Sequence, residues 1–475
     1  MQDHAHSPVQ LERLTTGSAQ LDQIIGGGIP HYTLLFVAGL PGTGKTILTQ
    51  QLVFSNARAG KTCLYLTTFS EPPIKLLRYA QGFSFFAPEL FGQRVIYGDL
   101  GGALRNGGPD GLLGRLDELV RQHRPAILVI DSFKALRDLI HEPFAFRAFT
   151  LDLAARMATW EVTAVLVGEY SDDDLRGEPE FAIADGIIYL YGTEEAERQK
   201  RFLRVMKLRG SAVFSGEHYF DIGPTGVSVY PRMQPGVVGE YAVPTERLGS
   251  LVEGLDELLG GGLFNATATL IGGTSGTGKT LLALSFLVRQ AQLGVPGLLV
   301  SFEESPGQIA RNSQTFGWNL EALIAQGLID IFHVSPSELN IDRHAAEFKE
   351  RAERMGARCV VIDSISAFEA SVLNPAKYQG YLWAIADYFK RSGIAIVMTS
   401  ELPGGGIDFL AGGLPQRVSF ISDTIILLRH HELAGQIGRT ITVLKMRGSS
   451  HDHTVRPLLI APPRFAVGPP KEAKR

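Results

Sequence analysis

The sequence predicts a duplicated α/β fold: two tandem domains, each a mostly parallel sheet flanked by helices, with antiparallel edge strands. Three observations predict it. First, 475 residues exceed one ordinary core and suit two domains. Second, short apolar runs alternate with amphipathic stretches, the pattern of parallel strands covered on both faces. Third, the chain repeats itself. Residues 16–46 read TGSAQLDQIIGGGIPHYTLLFVAGLPGTGKT, and residues 249–280 read GSLVEGLDELLGGGLFNATATLIGGTSGTGKT. Asp22 and Lys45 are 23 positions apart, as are Asp256 and Lys279. The offset is 234 between Lys45 and Lys279, 232 between Asp131 and Asp363, and 238 between Lys207 and Lys445. One spacing therefore runs through both halves. The join is expected in YPRMQPGVVGEYAVP (230–244), with domains at 1–236 and 237–475.

In the first half, TLLFVAG reads as a strand, KTILTQQLVFSNARA as a helix, and TCLYLTT, RPAILVID and TAVLVGE as further strands. The segments near 186–230 and 424–460 read as antiparallel strands with polar turns, extending the sheet edge.

Composition narrows the function class. The hydrophobic fraction is 45% and the charged fraction 20%, so the chain is globular. A net charge of −4 argues against a broad nucleic-acid surface. The start, MQDHAHSPVQLERL, lacks the pattern of a signal peptide, and runs such as AILVI (126–130) are too short to span a bilayer. Cys63 and Cys359 each lie in or beside an apolar run and read as core residues. A reducing, cytoplasmic setting without membrane contact is expected.

GLPGTGKT (39–46) and GTSGTGKT (273–280) both match GxxxxGK[ST], each after an apolar strand and opening a helix. Glycine lets the backbone wrap so that successive N–H groups face phosphate oxygens. The following helix adds its positive end. Gly39, Gly42, Thr43, Gly44, Lys45 and Thr46 form the first candidate phosphate site. Gly273, Gly276, Thr277, Gly278, Lys279 and Thr280 form the second. Lys45 and Lys279 are expected to reach the outer phosphates of ATP, and Thr46 and Thr280 to offer a hydroxyl to Mg²⁺. At the ends of AILVID and CVVID, Asp131 and Asp363 are the expected carboxylates on the metal side.

FSEPP (69–73) and FEESP (302–306) both follow a strand. A carboxylate there can take a proton from an attacking water or hydroxyl. The second stretch offers Glu303 and Glu304; aligned this way, the first has Ser70 at the Glu303 position and keeps Glu71. The competing reading is helix capping ahead of a helix-starting proline. Phe83 and Phe316 stand where an aromatic ring can pack on adenine or simply fill the core.

Tandem GTGKT, FEES, the VIDS strands, SDTIILL (422–428) and KMRGSSHD (445–452) together resemble the KaiC-like circadian-clock ATPase and autokinase family, within the RecA-like P-loop superfamily. The likeness covers nearly the whole chain. It implies two RecA-like domains, a homohexamer with ATP between neighbouring subunits, and a KaiB-like or signalling-protein partner. It assigns the base to Glu303, which also stands on the metal side. The first half lacks it at Ser70, and a hydroxyl is no base unaided; slow hydrolysis is expected there unless Glu71 substitutes as the catalytic carboxylate. The likeness carries Lys445, Met446, Arg447, Gly448, Ser449 and His451, with Arg439, over to contacts with a neighbour's nucleotide. Lys207, Leu208, Arg209, Gly210 and Ser211 match in the first half, with Val213 where His is expected.

The autokinase pattern departs. The family has adjacent Ser and Thr acceptors, whereas this chain reads SFISDTIILL (419–428): Ser419 matches one acceptor and Phe420 replaces the other. A two-site phosphorylation cycle is thereby ruled out, and Ser419 alone remains, against the plain reading of a strand-start serine. The likeness also implies a long C-terminal segment that recruits an activator; after PLLIAPPRFAVGPP (457–470) only KEAKR follows.

HDH (451–453) offers two histidines without a third ligand nearby in sequence, which points away from metal. Two further classes share the phosphate motif: a DNA recombinase or helicase-like motor, and a nucleotide-dependent scaffold without turnover. A DNA reader is expected to show a basic strip or an added module.

Overall fold

The computed structural model describes residues 11–68, 73–140, 142–195, 198–233, 236, 245–372, 375–402, 420–433 and 436–469. The chain divides into two compact units, Met1–Arg232 and Met233–Arg475. Each is built on one nine-stranded sheet.

In the first unit the strands lie in the order Val95–Asp99, Cys63–Thr67, Ile127–Asp131, Thr163–Glu169, Leu34–Gly39, Gly186–Glu195, Arg198–Leu208, His218–Gly223, Gly226–Tyr230. The first six run parallel, and the last three continue antiparallel. The second unit repeats that order with Ile329–His333, Gly297–Ser301, Cys359–Asp363, Ala395–Glu401, Ala268–Gly273, Thr424–Leu433, Gln436–Met446, Arg456–Ala461 and Arg464–Val467.

The central strands are apolar on both faces because helices cover both. Leu35 and Val37 enter one core layer, while Leu34, Phe36 and Ala38 enter the other. Ile271 and Leu299 face one layer of the second unit, and Leu270, Leu298 and Val300 the opposite one. Cys63 and Cys359 are buried free thiols; burial pushes both up to about 12 and leaves them unreactive.

Parallel order puts the carboxyl ends of all six strands on one edge, where ligands bind in open α/β sheets. The turns after Gly39 and Gly273 sit on that edge and lead into helices Lys45–Arg58 and Lys279–Gln292. A bulge falls at the same place in both units. Ile187 pairs with Lys207 and Ile188 with Val205; Ile425 pairs with Lys445 and Ile426 with Val443. The extra residue, Met206 or Leu444, re-aims the lysine that follows.

Candidate nucleotide sites

The two phosphate loops share one geometry. Gly44 and Gly278 start their helices in the left-handed region, at φ 97° and 98°. A Cβ there would meet Ile222 Cδ1 at 2.6 Å or Ile460 Cδ1 at 2.4 Å. Strain and space both require glycine. Thr43 Oγ1 donates to Leu40 O and Thr277 Oγ1 to Thr274 O, each at 2.8 Å. Lys45 Nζ and Lys279 Nζ donate to the same carbonyls at 2.9 Å. Burial lowers both lysines from their ordinary value, and neighbouring carboxylates partly restore it. These carboxylates include Glu169 beside Lys45 and Glu401 beside Lys279. Strand-end glutamates after VLVG and MTS were the missed signal in the sequence.

Thr46 Oγ1 donates to Asp131 Oδ2 at 3.0 Å, so the hydroxyl and carboxylate expected on the metal side adjoin. Tyr65 OH donates to the same oxygen at 2.6 Å. Tyr97 stacks on Tyr65 at 5.0 Å. In the second unit Asp363 receives hydrogen bonds from Thr399 and Thr280. Burial raises the Asp363 carboxyl above its ordinary range, and these hydroxyls oppose the rise. Thr399 stands where the first unit has Val167, and Tyr65 where the second has Leu299, so each copy supports its aspartate from a different strand. One hydroxyl and one carboxylate, completed by phosphate oxygens and water, suit Mg²⁺, which keeps much of its water.

A cavity of about 870 Å³ opens over the first loop. Its walls include Gly42, Gly44, Lys45, Thr46, Asp131, Glu169, Arg201 and Ile222. The size and the mixed polar lining suit a nucleotide.

The acidic pair Glu303 and Glu304 lies in the second unit, after strand Gly297–Ser301. Ser364 Oγ donates to Glu303 Oε1 at 2.9 Å. Glu303 also acts electrostatically on Lys279 and Asp363. Glu304 instead accepts from Asn312 Nδ2 at 3.1 Å and is raised from its ordinary value, by burial first and then by Asp363. Neither glutamate caps the next helix: Ser305 does so, in a capping box with Gln308. Glu71, Ser70 and Ser419 lie outside the described residues.

Sheet register revises the pairing of the two acidic stretches. Thr68 N donates to Asp131 O, as Phe302 N does to Asp363 O. Thr68, not Phe69, is therefore the counterpart of Phe302. Four residues (69–72) then precede Pro73 where three (303–305) precede Pro306. Counted from the sheet, Phe69 stands at the Glu303 position; counted back from the helix, Ser70 does. Neither is a carboxylate.

The KLRGS and KMRGS turns lie at the opposite edge of each sheet from their own phosphate loop. Arg447 N donates to Asp423 O, and Asp423 N to Ala268 O, at the amino end of the strand that ends in Gly273. The first unit repeats this with Arg209, Asp185 and Leu34. Five residues of strand separate the two edges, about 17 Å. Lys445 Nζ donates to Ser422 O at 2.7 Å, and Arg447 and Arg209 pair with Asp423 and Asp185. Burial, first among its causes, lowers both Lys207 and Lys445. Met446 and Leu208 are buried in the cores.

Arg13 and Arg247 were missed by the sequence reading. Arg13 donates to Ser211 Oγ at 2.6 Å and Gly210 O at 2.9 Å; Arg247 donates to Ser449 Oγ at 2.8 Å. Their only signal was recurrence before the Leu-Asp pair. His451 stacks edge-on against His453 at 4.2 Å, and Val213 packs on the first core. Arg439, on strand Gln436–Met446, donates from Nε to Gly276 O of its own unit's phosphate loop at 3.1 Å. Phe316 is buried against Trp318 and Phe465, while half-buried Phe83 stacks on Phe85 at 5.2 Å.

Among the described residues no group of three or more His, Cys, Asp or Glu gathers to hold a metal, and no helix is long and apolar enough to cross a membrane. A family model described as the KaiC ATPase matches residues 14–234 and again 248–472. The circadian clock oscillator protein KaiC of Parasynechococcus marenigrum is 29% identical over 95% of this chain and 89% of its own length. That of Thermostichus vulcanus is 29% identical over 96% and 90%. The circadian clock oscillator protein KaiC 1 of Synechocystis sp. is 27% identical over 94% and 87%. With the family model matched once per unit, on two sheets of one topology, the chain belongs to the KaiC ATPase family.

Proposed function

We propose that the chain is a cytoplasmic, Mg²⁺-dependent ATPase that assembles as a homohexamer, with ATP between neighbouring subunits and turnover concentrated in the second repeat. The observation that carries this reading is Glu303, held by Ser364 beside the Thr280–Asp363 pair. Glu303 takes a proton from the attacking water as oxygen bonds to the γ-phosphorus and the bridging P–O bond to ADP breaks. Bound Mg²⁺ would neutralise phosphate charge, held through Thr280 and Asp363. The first repeat keeps its phosphate loop, Thr46 and Asp131 but has no carboxylate at the Glu303 position. It holds ATP and hydrolyses it slowly, as a structural or regulatory tier.

The opposed edges of each sheet support the assembly. A KMRGS turn about 17 Å from its own loop serves a nucleotide only if that nucleotide is a neighbour's. Lys445 and Arg447 then stabilise charge on the transferring phosphoryl group. Ser419 is the proposed phosphoacceptor, its hydroxyl replacing water and Glu303 taking its proton; the output is signalling or timing through a protein partner.

Glu303→Gln is expected to remove most phosphate release while leaving ATP binding and assembly intact. Equal turnover in parent and variant would refute the assignment. Light scattering with and without ATP and Mg²⁺ tests the hexamer, a monomer under saturating ATP being the contrary result. Phosphopeptide mapping after incubation with ATP tests Ser419, which must carry label.

A further inference from the structure

The second phosphate loop is gripped from outside by a cross-strand pair that the first loop lacks. His430 and Arg439 stand directly opposite each other on neighbouring antiparallel strands. His430 Nε2 lies 3.2 Å from Ser275 O, and Arg439 Nε donates to Gly276 O at 3.1 Å. A carbonyl only accepts, so the proton of this contact is on Nε2 of the ring. In a trans peptide the C=O of one residue and the N–H of the next point opposite ways. Holding Ser275 O and Gly276 O outward therefore turns the N–H groups of Gly276 and Thr277 inward, where phosphate oxygens bind.

The first repeat is the internal comparison. Gly192 stands opposite Arg201, so the ring is missing. Arg201 lines the cavity, but its Nε has no hydrogen-bond partner among the described residues. The corresponding loop residues are Pro41 and Gly42. The clamp thus belongs to the repeat that keeps the catalytic carboxylate.

We propose that His430, with Arg439, is a positioning residue that pre-orients the second phosphate loop for ATP. This rests on the ATPase reading of that site. Binding of a fluorescent ATP analogue with Mg²⁺ tests it, on full-length protein carrying Lys45→Ala to silence the first site. His430→Phe keeps a ring and loses the donor. Its dissociation constant should rise about threefold to tenfold, the worth of one hydrogen bond, with turnover at saturating ATP within about twofold of the parent. His430→Gln, an amide donor, should restore most of the affinity. In the converse arm, on a Lys279→Ala background, Gly192→His should tighten binding at the first loop. A parent that binds no ATP at the second site overturns the ATPase reading and the clamp together. A parent that binds, with His430→Phe equally tight or His430→Gln equally weak, overturns the clamp alone.

Discussion

Ser364 Oγ donates to Glu303 Oε1 at 2.9 Å, joining the residue after the buried aspartate to the second residue after the neighbouring strand. The serine opens helix Ile365–Ser371 but makes no side-chain cap bond, so its hydroxyl is free to aim the carboxylate. Ser364→Ala is expected to lower turnover about threefold to tenfold, with ATP binding unchanged and without the stability loss of a broken cap. Phosphate release at saturating ATP, beside a binding titration, checks it; a variant that matches the parent in both removes the serine from the mechanism.

The first repeat should gain turnover from a carboxylate. With Lys279→Ala silencing the second site, Ser70→Glu and Phe69→Glu are the two candidate restorations. The helix-based count favours the first and the sheet-based count the second. At least one is expected to raise phosphate release several-fold. No gain from either would mean that a further difference, such as the Tyr65 hydrogen bond on Asp131, limits that site.

The Asp363 carboxylate is buried at a cost to its charged form. Its folded pKa lies above the unfolded carboxylate value of 3.8, because burial disfavours the charge. Its stabilising contribution is complete below that value and is lost as pH rises through the raised folded pKa. Whenever it is ionised without nucleotide, the group is therefore a cost. Asp363→Asn should raise the unfolding midpoint of the second unit at pH 7 more than at pH 4, while weakening Mg²⁺-dependent ATP binding. Equal shifts at both pH values would contradict the linkage.

Arg247 ties the KMRGS turn to the body of its unit. Besides Ser449 it donates to Gly262 O at 2.8 Å, and its guanidinium lies 3.9 Å from the Phe264 ring centre. Arg247→Met keeps the aliphatic stem and removes the donors. ATP-dependent assembly should weaken while the isolated subunit keeps its fold. Light scattering across an ATP titration, with circular dichroism as control, measures both; assembly at the parent's ATP concentration would show that the turn needs no such tether.

Much of the fold was legible beforehand because its determinants are local. Short apolar runs buried on both faces, glycines that must be left-handed, and aspartates ending VID strands all act within a few residues. Counterparts recurring near one offset made the duplication plain. The phosphate loops, Thr46 with Asp131, and Thr280 with Asp363 were identifiable for the same reason. The alignment at FSEPP was less secure. An extra residue between Thr68 and Pro73 hid behind matching phenylalanines, and only strand register exposes it.

By itself the sequence determined the family, the duplicated α/β architecture, both phosphate loops and the unequal carboxylates of the two repeats. Only the tertiary structure decided that Ser364 holds Glu303, that KLRGS and KMRGS lie at the far edge from their own loops, and that Arg13, Arg247 and His430 contact turns distant in sequence. The physical reason is that loop and strand propensities act between near neighbours, whereas these contacts are made by sheet order and register. Sheet order joins residues separated by 61 to 202 positions, with no spacing rule to announce them.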